Sequence, residues 1–406
     1  MNAQYDIAIV GGGMVGATLA LALSQHSTFK IALIEANTPA LVASDAPYDL
    51  RVSALTRSSE MILQNLGVWS QLPTQRLSAF TNMEVWETAD SAVHFDSADM
   101  GEPWLGHLIE NRVLQQTCLA ACQRQANIDM ISPAKPVSYQ PNQLELDNGQ
   151  HINANLVVAA DGAQSSLRQW AGIDLKGWSY QQQGLVCTVT TQHSHQHTAW
   201  QRFLAEGPLA FLPLSNTHQC SIVWSLNTDS AERLLKLSDA AFIESLNDAF
   251  EEKLGKVMAI SERAAFPLQL RHADAYIQPG LALVGDAAHI IHPLAGQGVN
   301  IGLLDAATLS EVVIHADQHG RDIGSLHTLQ KYQRQRRADN VLMQLSMDMF
   351  KRLFSNQFVP LQWLRRAGLK GVNRNTWLKN LFMQQAASRS FAQPSLSQGS
   401  VPKSPP

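Results

Sequence analysis

The chain has 406 residues, of which 45% are hydrophobic and 16% charged, and it carries a formal net charge of −4. That composition excludes disordered, collagenous and coiled-coil classes, and the length fits two or three structural units. The weak negative charge argues against nucleic acid as a partner. Four cysteines are too few for a disulfide framework, and Cys118 and Cys122 lie far from Cys187 and Cys220, so no zinc-type pair of pairs is present.

In chain order, Tyr5–Val10 predicts a short buried strand ended by glycine. Gly11-Gly12-Gly13-Met14-Val15-Gly16 is a turn, Ala17–Ser24 a packed helix, and Lys30–Glu35 a second strand ending in an acid. This βαβ unit requires a parallel sheet. Ile7–Leu23 is uncharged, but Asp6 precedes it and three glycines interrupt it, so neither a signal peptide nor a spanning helix is expected there. No other uncharged apolar run has the length to span a bilayer. A reducing, intracellular setting follows.

Arg112–Gln123 predicts a helix, and Leu156–Ala160 a buried strand running into Asp161-Gly162. Between Trp178 and Phe266 the pattern alternates, as in Leu185–Thr191 and Ser221–Leu226, which points to antiparallel strands. Leu281–Val284 returns to the parallel style before Gly285-Asp286, and Asp305–Asp317 is helical. From Leu326 the chain is helical and basic, with Met343, Met347, Phe350 and Phe354 as a core stripe. Residues 394–406 have the composition of a disordered tail.

The expected fold class is therefore α/β. A Rossmann-like parallel-sheet domain (1–75, 100–177 and 267–325) is interrupted by an antiparallel-sheet domain (76–99 and 178–266). A C-terminal helical region (326–393) and the tail follow.

Gly11-x-Gly13-x-x-Gly16 stands between strand and helix. Gly11 permits the tight turn, Gly13 lets a pyrophosphate approach the backbone, and Gly16 lets helix and strand pack closely. Glu35 lies 19 residues beyond Gly16 and suits ribose hydroxyls, which favours FAD or NAD over NADP. Asp286 ends a buried strand and suits a second ribose or ribitol anchor. The helix start near Gly298–Asn300 would present positive potential to an anionic ring. Helix capping is the plain alternative for Asp286 and for Asp161. His193, His195 and His197 form an HxHxH pattern in a polar stretch, more in keeping with an exposed loop than a metal site.

These three motifs, with Asp161-Gly162 before Gly285-Asp286, resemble the aromatic-ring hydroxylases of the flavoprotein monooxygenase superfamily, whose fold is that of para-hydroxybenzoate hydroxylase. The likeness covers about Asp6 to Tyr332. Leu50–Leu55, Leu66–Trp69, Met83–Trp86, Phe211–Leu214 and Gly285–Gly302 resemble the ubiquinone-biosynthesis hydroxylases. Glu110–Gln116 and Arg336–Phe350 are most like the group acting on 2-polyprenyl-3-methyl-6-methoxy-1,4-benzoquinol. The resemblance implies FAD as cofactor, NAD(P)H as co-substrate, and hydroxylation by O2 of a polyprenyl quinol or phenol through a C4a-hydroperoxyflavin. It implies that Gly11, Gly13, Gly16 and Glu35 hold the ADP half of FAD, and that Arg51 and Arg112 contact its phosphate or ribityl region. Asp286 would take the ribityl or pyrophosphate portion, Asp161 and Gly162 would serve FAD and NAD(P)H, and Pro293, Gly298, Val299 and Asn300 would border the flavin ring. No metal and no acid–base residue is assigned. Three rival readings stay open: a hydroxylase of a soluble phenol; a geranylgeranyl-reductase-like or halogenase-like flavoenzyme, although the Trp-x-Trp-x-Ile motif of halogenases is absent; and a flavin-binding scaffold without turnover.

Residues 349–406 hold nine Lys/Arg and no acid, leaving 1–348 with a net charge of −13. Trp363, Leu364, Leu369, Trp377, Leu378, Leu381 and Phe382 interleave with Arg365, Arg366, Lys370, Arg374 and Lys379. A basic amphipathic surface over 349–393 would contact anionic lipid, giving a cytoplasmic protein peripheral on the inner membrane. A helix pair packed on the flavin domain or on a partner subunit is the equal alternative. Other ubiquinone-biosynthesis proteins and a second copy of the chain are the expected protein partners.

Overall fold

The computed structural model describes residues 2–37, 42–43, 46–88, 91–290, 298–355 and 393–398, with 342–355 as backbone. Pro293, the Met343–Phe354 side chains and the basic–apolar stretch 356–392 lie outside the described residues.

In chain order the first half contains β1 (Asn2–Val10), α1 (Met14–His26), β2 (Ile31–Ile34), β3 (Val52–Leu55), α2 (Arg57–Asn65), β4 (Ser78–Phe80), β5 (Asn82–Trp86), β6 (Ala92–Asp96), β7 (Gly106–Glu110), α3 (Asn111–Gln123), β8 (Ile128–Ile131), β9 (Pro136–Gln140), β10 (Gln143–Leu146) and β11 (His151–Ala159). The second half adds α4 (Ser166–Trp170), β12 (Leu175–Thr191), β13 (Thr198–Phe203), β14 (Pro208–Pro213), β15 (Gln219–Asn227), α5 (Thr228–Leu235), α6 (Asp239–Phe250), β16 (Val257–Ile260), β17 (Ala264–Ala273), β18 (Ile277–Gln278), β19 (Leu281–Leu283), β20 (His289–Ile290), α7 (Gly298–Gln318) and α8 (Leu326–Ser355).

The first sheet runs β18-β19-β11-β1-β2-β8, with β10 beside β11 and β9 beside β10. The β2, β1, β11 and β19 strands are parallel, apolar and buried on both faces at their carboxyl ends. Helix α1 is buried from Gly16 to Ser24 because it packs against both α3 and α7. The α1–α7 crossing is close: a Cβ on Gly302 would come within 2.5 Å of Val15 Cγ2. Helix α7, which carries Asp305 and Glu311, has the length and mean hydropathy (1.3) of a membrane span, but 78% of that window is buried inside the protein, so it is a core helix.

The second sheet runs β20-β17-β12-β15-β14-β13-β5-β6, with β16 beside β12. Helices α5 and α6 close its core of Leu185, Phe211, Ile222, Phe242 and Phe250, where Phe211 and Phe250 stack at 3.7 Å. A small sheet, β3-β7-β4, lies between the two large ones, its residues Ala54, Phe80 and Leu108 packing with Ala210 and Leu212.

Four details depart from the sequence expectation. The second sheet is antiparallel except at β5–β13, which is parallel because β5 enters from the small sheet with Thr81 N donating to His197 O at 2.9 Å. Ser78–Phe80 pairs with β7 and not with the second sheet. The expected boundaries at 177/178 and 266/267 fall inside the continuous strands β12 and β17. Pro394–Gln398 is ordered: Leu396 is buried beside α2 and α7, and Asn65 Nδ2 donates to Leu396 O at 2.8 Å. A single apolar side chain overrides the polar composition there.

Candidate functional site

Strand register brings the sequence motifs together. Val10 lies opposite Ile34 on β2 and Ala159 on β11, and Ala159 lies opposite Leu283 on β19. The chains leaving these strands stay bonded: Gly11 N donates to Ile34 O at 2.8 Å, Ala160 N to Val10 O at 2.8 Å, and Val284 N to Ala159 O at 3.0 Å. The loops at Glu35, Gly11, Asp161 and Asp286 therefore emerge side by side at one carboxyl edge, where open α/β sheets bind ligands.

The three turn glycines do different things. Gly11 has φ +107°, and a Cβ there would lie 2.2 Å from Ala160 O. A Cβ on Gly16 would lie 1.9 Å from Gly11 O. Both are required by the fold. A Cβ on Gly13 would meet nothing within 4 Å, so the approach to the backbone and to the unpaired N–H groups opening α1 is clear. Glu35 stands at the same mouth, its Oε2 accepting from Gly12 N at 2.7 Å and its Oε1 from Asn37 N at 2.9 Å. An open cradle at a helix N-terminus beside a carboxylate fits a pyrophosphate and its ribose.

Capping and site geometry coincide at Asp161. Its Oδ2 accepts from Leu167 N at 3.3 Å, while Ser165 Oγ accepts from Arg168 N at 3.0 Å. Its Oδ1 is buried without a hydrogen-bond partner, and burial raises the carboxyl above its ordinary range. A donor arriving from a ligand would satisfy that atom. Arg168 is buried, donating from Nη1 to Ala287 O at 3.0 Å and from Nη2 to Ala163 O at 3.1 Å. It ties the Asp161 loop to the Asp286 turn.

Asp286 follows Gly285, which has φ +59°. Its side chain is open to solvent, yet enough protein surrounds it that desolvation raises its carboxyl, while His289 and Arg51 pull it down. Arg51 is exposed, its backbone N bonded to Asp49 Oδ1 at 3.0 Å. Arg112 reaches the same segment: its Nε lies 3.4 Å from Asp49 Oδ2, and its Nη2 donates to Pro47 O at 2.7 Å. Gly298 and Val299 open α7. Asn300 is fully buried and its side chain is spent inside the protein, donating to Ala54 O at 2.8 Å and accepting from Thr56 N and Ser59 Oγ.

Two buried clusters escaped the sequence reading. Glu110 accepts from Asp49 N at 2.7 Å and from Arg76 Nη1 at 3.0 Å, fixing the segment that carries Arg51. Asp305, His289 and Arg336 form the other, behind Gly285. A lone acid in the apolar run Asn300–Leu309 was the available signal, because a buried charge needs a partner. In the HxHxH stretch, His195 is buried and structural, its Nε2 hydrogen-bonded to Leu214 O at 2.9 Å.

A glycine cradle and an acid at the second strand make a dinucleotide site on a sheet that carries an inserted second one, and with the matches that follow they mark an FAD-dependent aromatic-ring monooxygenase. The FAD binding domain family matches residues 4–344, and the chain belongs to that family. It is 40% identical to 3-demethoxyubiquinol 3-hydroxylase of Escherichia coli K12, over 95% of this chain and 99% of that protein. It is 33% identical to the mitochondrial ubiquinone biosynthesis monooxygenase COQ6 of Rattus norvegicus, over 95% and 91%. The fold matches that of p-nitrophenol 4-monooxygenase PnpA from Pseudomonas putida DLL-E4 with a TM-score of 0.77 at 17% identity, over 95% and 98%.

Proposed function

We propose that this chain hydroxylates the ring of a polyprenylated benzoquinol on the route to ubiquinone, at the position named in its 40%-identical relative. The observation that carries the reading is the convergence of Glu35, Gly13, Asp161 and Asp286 at one sheet edge. FAD, reduced by NAD(P)H, supplies the oxygen-activating chemistry when bound.

The chain's own residues do the rest. Gly13 and the α1 amides hold the pyrophosphate, with Gly11 and Gly16 shaping the turn and Glu35 taking the ribose. Asp286, Arg51 and Arg112 hold the ribityl–phosphate region, and Asp161 and Gly162 serve FAD and NAD(P)H. Pro293, Gly298 and Val299 border the flavin ring, while Asn300 acts through its internal bonds. The second sheet walls the substrate side and excludes water from the reacting carbon. This substrate unit takes residues 81–99 and 178–266, with β12 and β17 running on past both boundaries. Residues 349–393 bring the protein to anionic lipid, where a polyprenyl substrate resides.

Quinone profiling of a deletion strain tests the reading. The quinol lacking one ring hydroxyl accumulates, and this chain restores the pool. A normal pool in the deletion strain overturns the pathway assignment. For the lipid contact, charge reversal at Arg365, Arg366, Lys370, Arg374 and Lys379 should abolish flotation with phosphatidylglycerol vesicles while FAD stays bound. Undiminished flotation removes that part.

A further inference from the structure

Behind the Gly285–Asp286 turn runs a chain of polar groups, all buried except the half-buried His272, that cofactor contact does not use. Asp305, on α7, is fully buried. Its Oδ2 accepts from Gly285 N at 3.0 Å and from His289 Nε2 at 2.5 Å, and its Oδ1 accepts from Arg336 Nε at 2.7 Å. Arg336 comes from α8, is buried, and donates from Nη2 to Asn340 Oδ1 at 2.8 Å. Asn340 Nδ2 donates to the Tyr276 hydroxyl at 3.2 Å, which is bonded to His272 Nδ1 at 3.1 Å. His272 and His289 are paired residues across β17 and β20. The chain thus joins the turn, α7, α8 and the strand that extends through the second sheet.

A carboxylate this deep is costly unless it is fully paired. Asp305 has three donors, and His289 and Arg336 hold its carboxyl down to about 2 against the opposing effect of burial. It stays ionised at working pH, so the bond from Gly285 N is charge-assisted and strong. Gly285 sits at a left-handed φ and has no side chain of its own to anchor it. Its N–H is the handle by which the turn is held from behind, while Arg168 holds the same turn through Ala287 O.

We propose that Asp305 is a positioning residue for the cofactor turn. It fixes Gly285 and so aims the Asp286 carboxylate, and Arg336 is the strut that anchors Asp305 from α8. The proposal rests on the reading that Asp286 holds FAD.

Holoproteins of wild type, D286N, D305N and D305N/R336M are compared on dilution, with FAD release followed by flavin fluorescence and secondary structure by circular dichroism. D305N should weaken FAD binding about tenfold or more, the scale of one charge-assisted hydrogen bond. The flavin that remains should show displaced visible absorption bands, a signature that loss of a merely structural ion pair would not produce. The single substitution D305N leaves Arg336 without its buried counter-ion, so the double variant, which removes the cation as well, supplies the measurement should D305N not fold. Wild-type FAD release and unshifted bands in the folded variant overturn the proposal. Wild-type FAD affinity in D286N overturns the reading of the turn itself, so the two failures are told apart.

Discussion

The parallel sheet and the second sheet are built alike inside and differ at their edges. Both bury continuous apolar strand segments, Ile7–Val10 and Leu156–Ala159 in one, Leu209–Leu212 in the other. At the carboxyl edge of the first, glycines, carboxylates and a helix start meet in one place. Among the described residues, the second sheet offers no comparable cluster of carboxylates; its buried His195 is consumed by backbone carbonyls. The contrast separates two kinds of binding. Phosphate and ribose are recognised by backbone N–H groups and single acids, which need fixed local geometry. A ring with a prenyl tail is recognised by apolar shape, which many side chains share.

If that contrast holds, stability and FAD affinity should respond separately in the two regions. The largest effect is expected at Phe211. It is fully buried and stacked on Phe250, so Phe211→Ala should cost about 3–5 kcal/mol of stability. FAD affinity of the folded fraction should stay at the wild-type value. Denaturant melts and FAD titration read the two quantities, and a fall in affinity matching the fall in stability would erase the distinction.

Within the cradle the contrast can be sharpened by one methyl group. Gly16→Ala puts a Cβ 1.9 Å from Gly11 O, and the turn has to shift. We expect a loss of about 3 kcal/mol, the upper part of the range for overpacking, and colourless protein. Gly13→Ala places the same methyl in open space. The melting temperature of its apoprotein should match wild type, while FAD binds about tenfold more weakly, or about 1.4 kcal/mol. Equal melting losses in the two variants would mean that Gly13 serves the fold and not the phosphate.

The same contrast explains what was legible in the sequence. Gly11, Gly13, Gly16 and Glu35 fall within 25 residues of one another, and each obeys a rule about turns or helix ends. Asp161 and Asp286 were legible because each follows a buried strand. The meeting of all four loops rests on sheet order, which those local rules imply and only register establishes. The sequence resemblance puts Asn300 beside the flavin ring, while its side chain is turned to Ala54, Thr56 and Ser59, more than 240 residues away in the chain. Glu110 and Asp305 were missed for the same reason: their partners are Arg76, His289 and Arg336, brought together by packing alone. The order at Leu396 likewise depends on α2 and α7, not on its polar flanks.

A pH dependence is expected where the two sheets join. Burial lowers the pKa of His272 from 6.5 to about 4, reinforced by His289 and Arg337 and opposed by Asp274 and Asp305. Between these values the unfolded chain binds the proton and the folded chain does not, so stability falls as pH drops from 6.5 towards 4. Asp305, lowered from 3.8 to about 2, acts in a separate window. Its stabilisation is complete above 3.8 and is lost as pH falls towards 2. Replacing His272 by Asn removes that residue's share of the first window, leaves the shares of His26, His195 and His315, whose pKa values are also lowered from 6.5, and leaves the second window. The denaturation midpoint of His272→Asn should therefore change less than wild type between pH 6.5 and 4, by up to about one proton taken up on unfolding, and follow it below 3.8. Parallel curves through the upper window would mean that His272 is charged in the fold, and that the Tyr276–Asn340 link between β17 and α8 is organised around a cation.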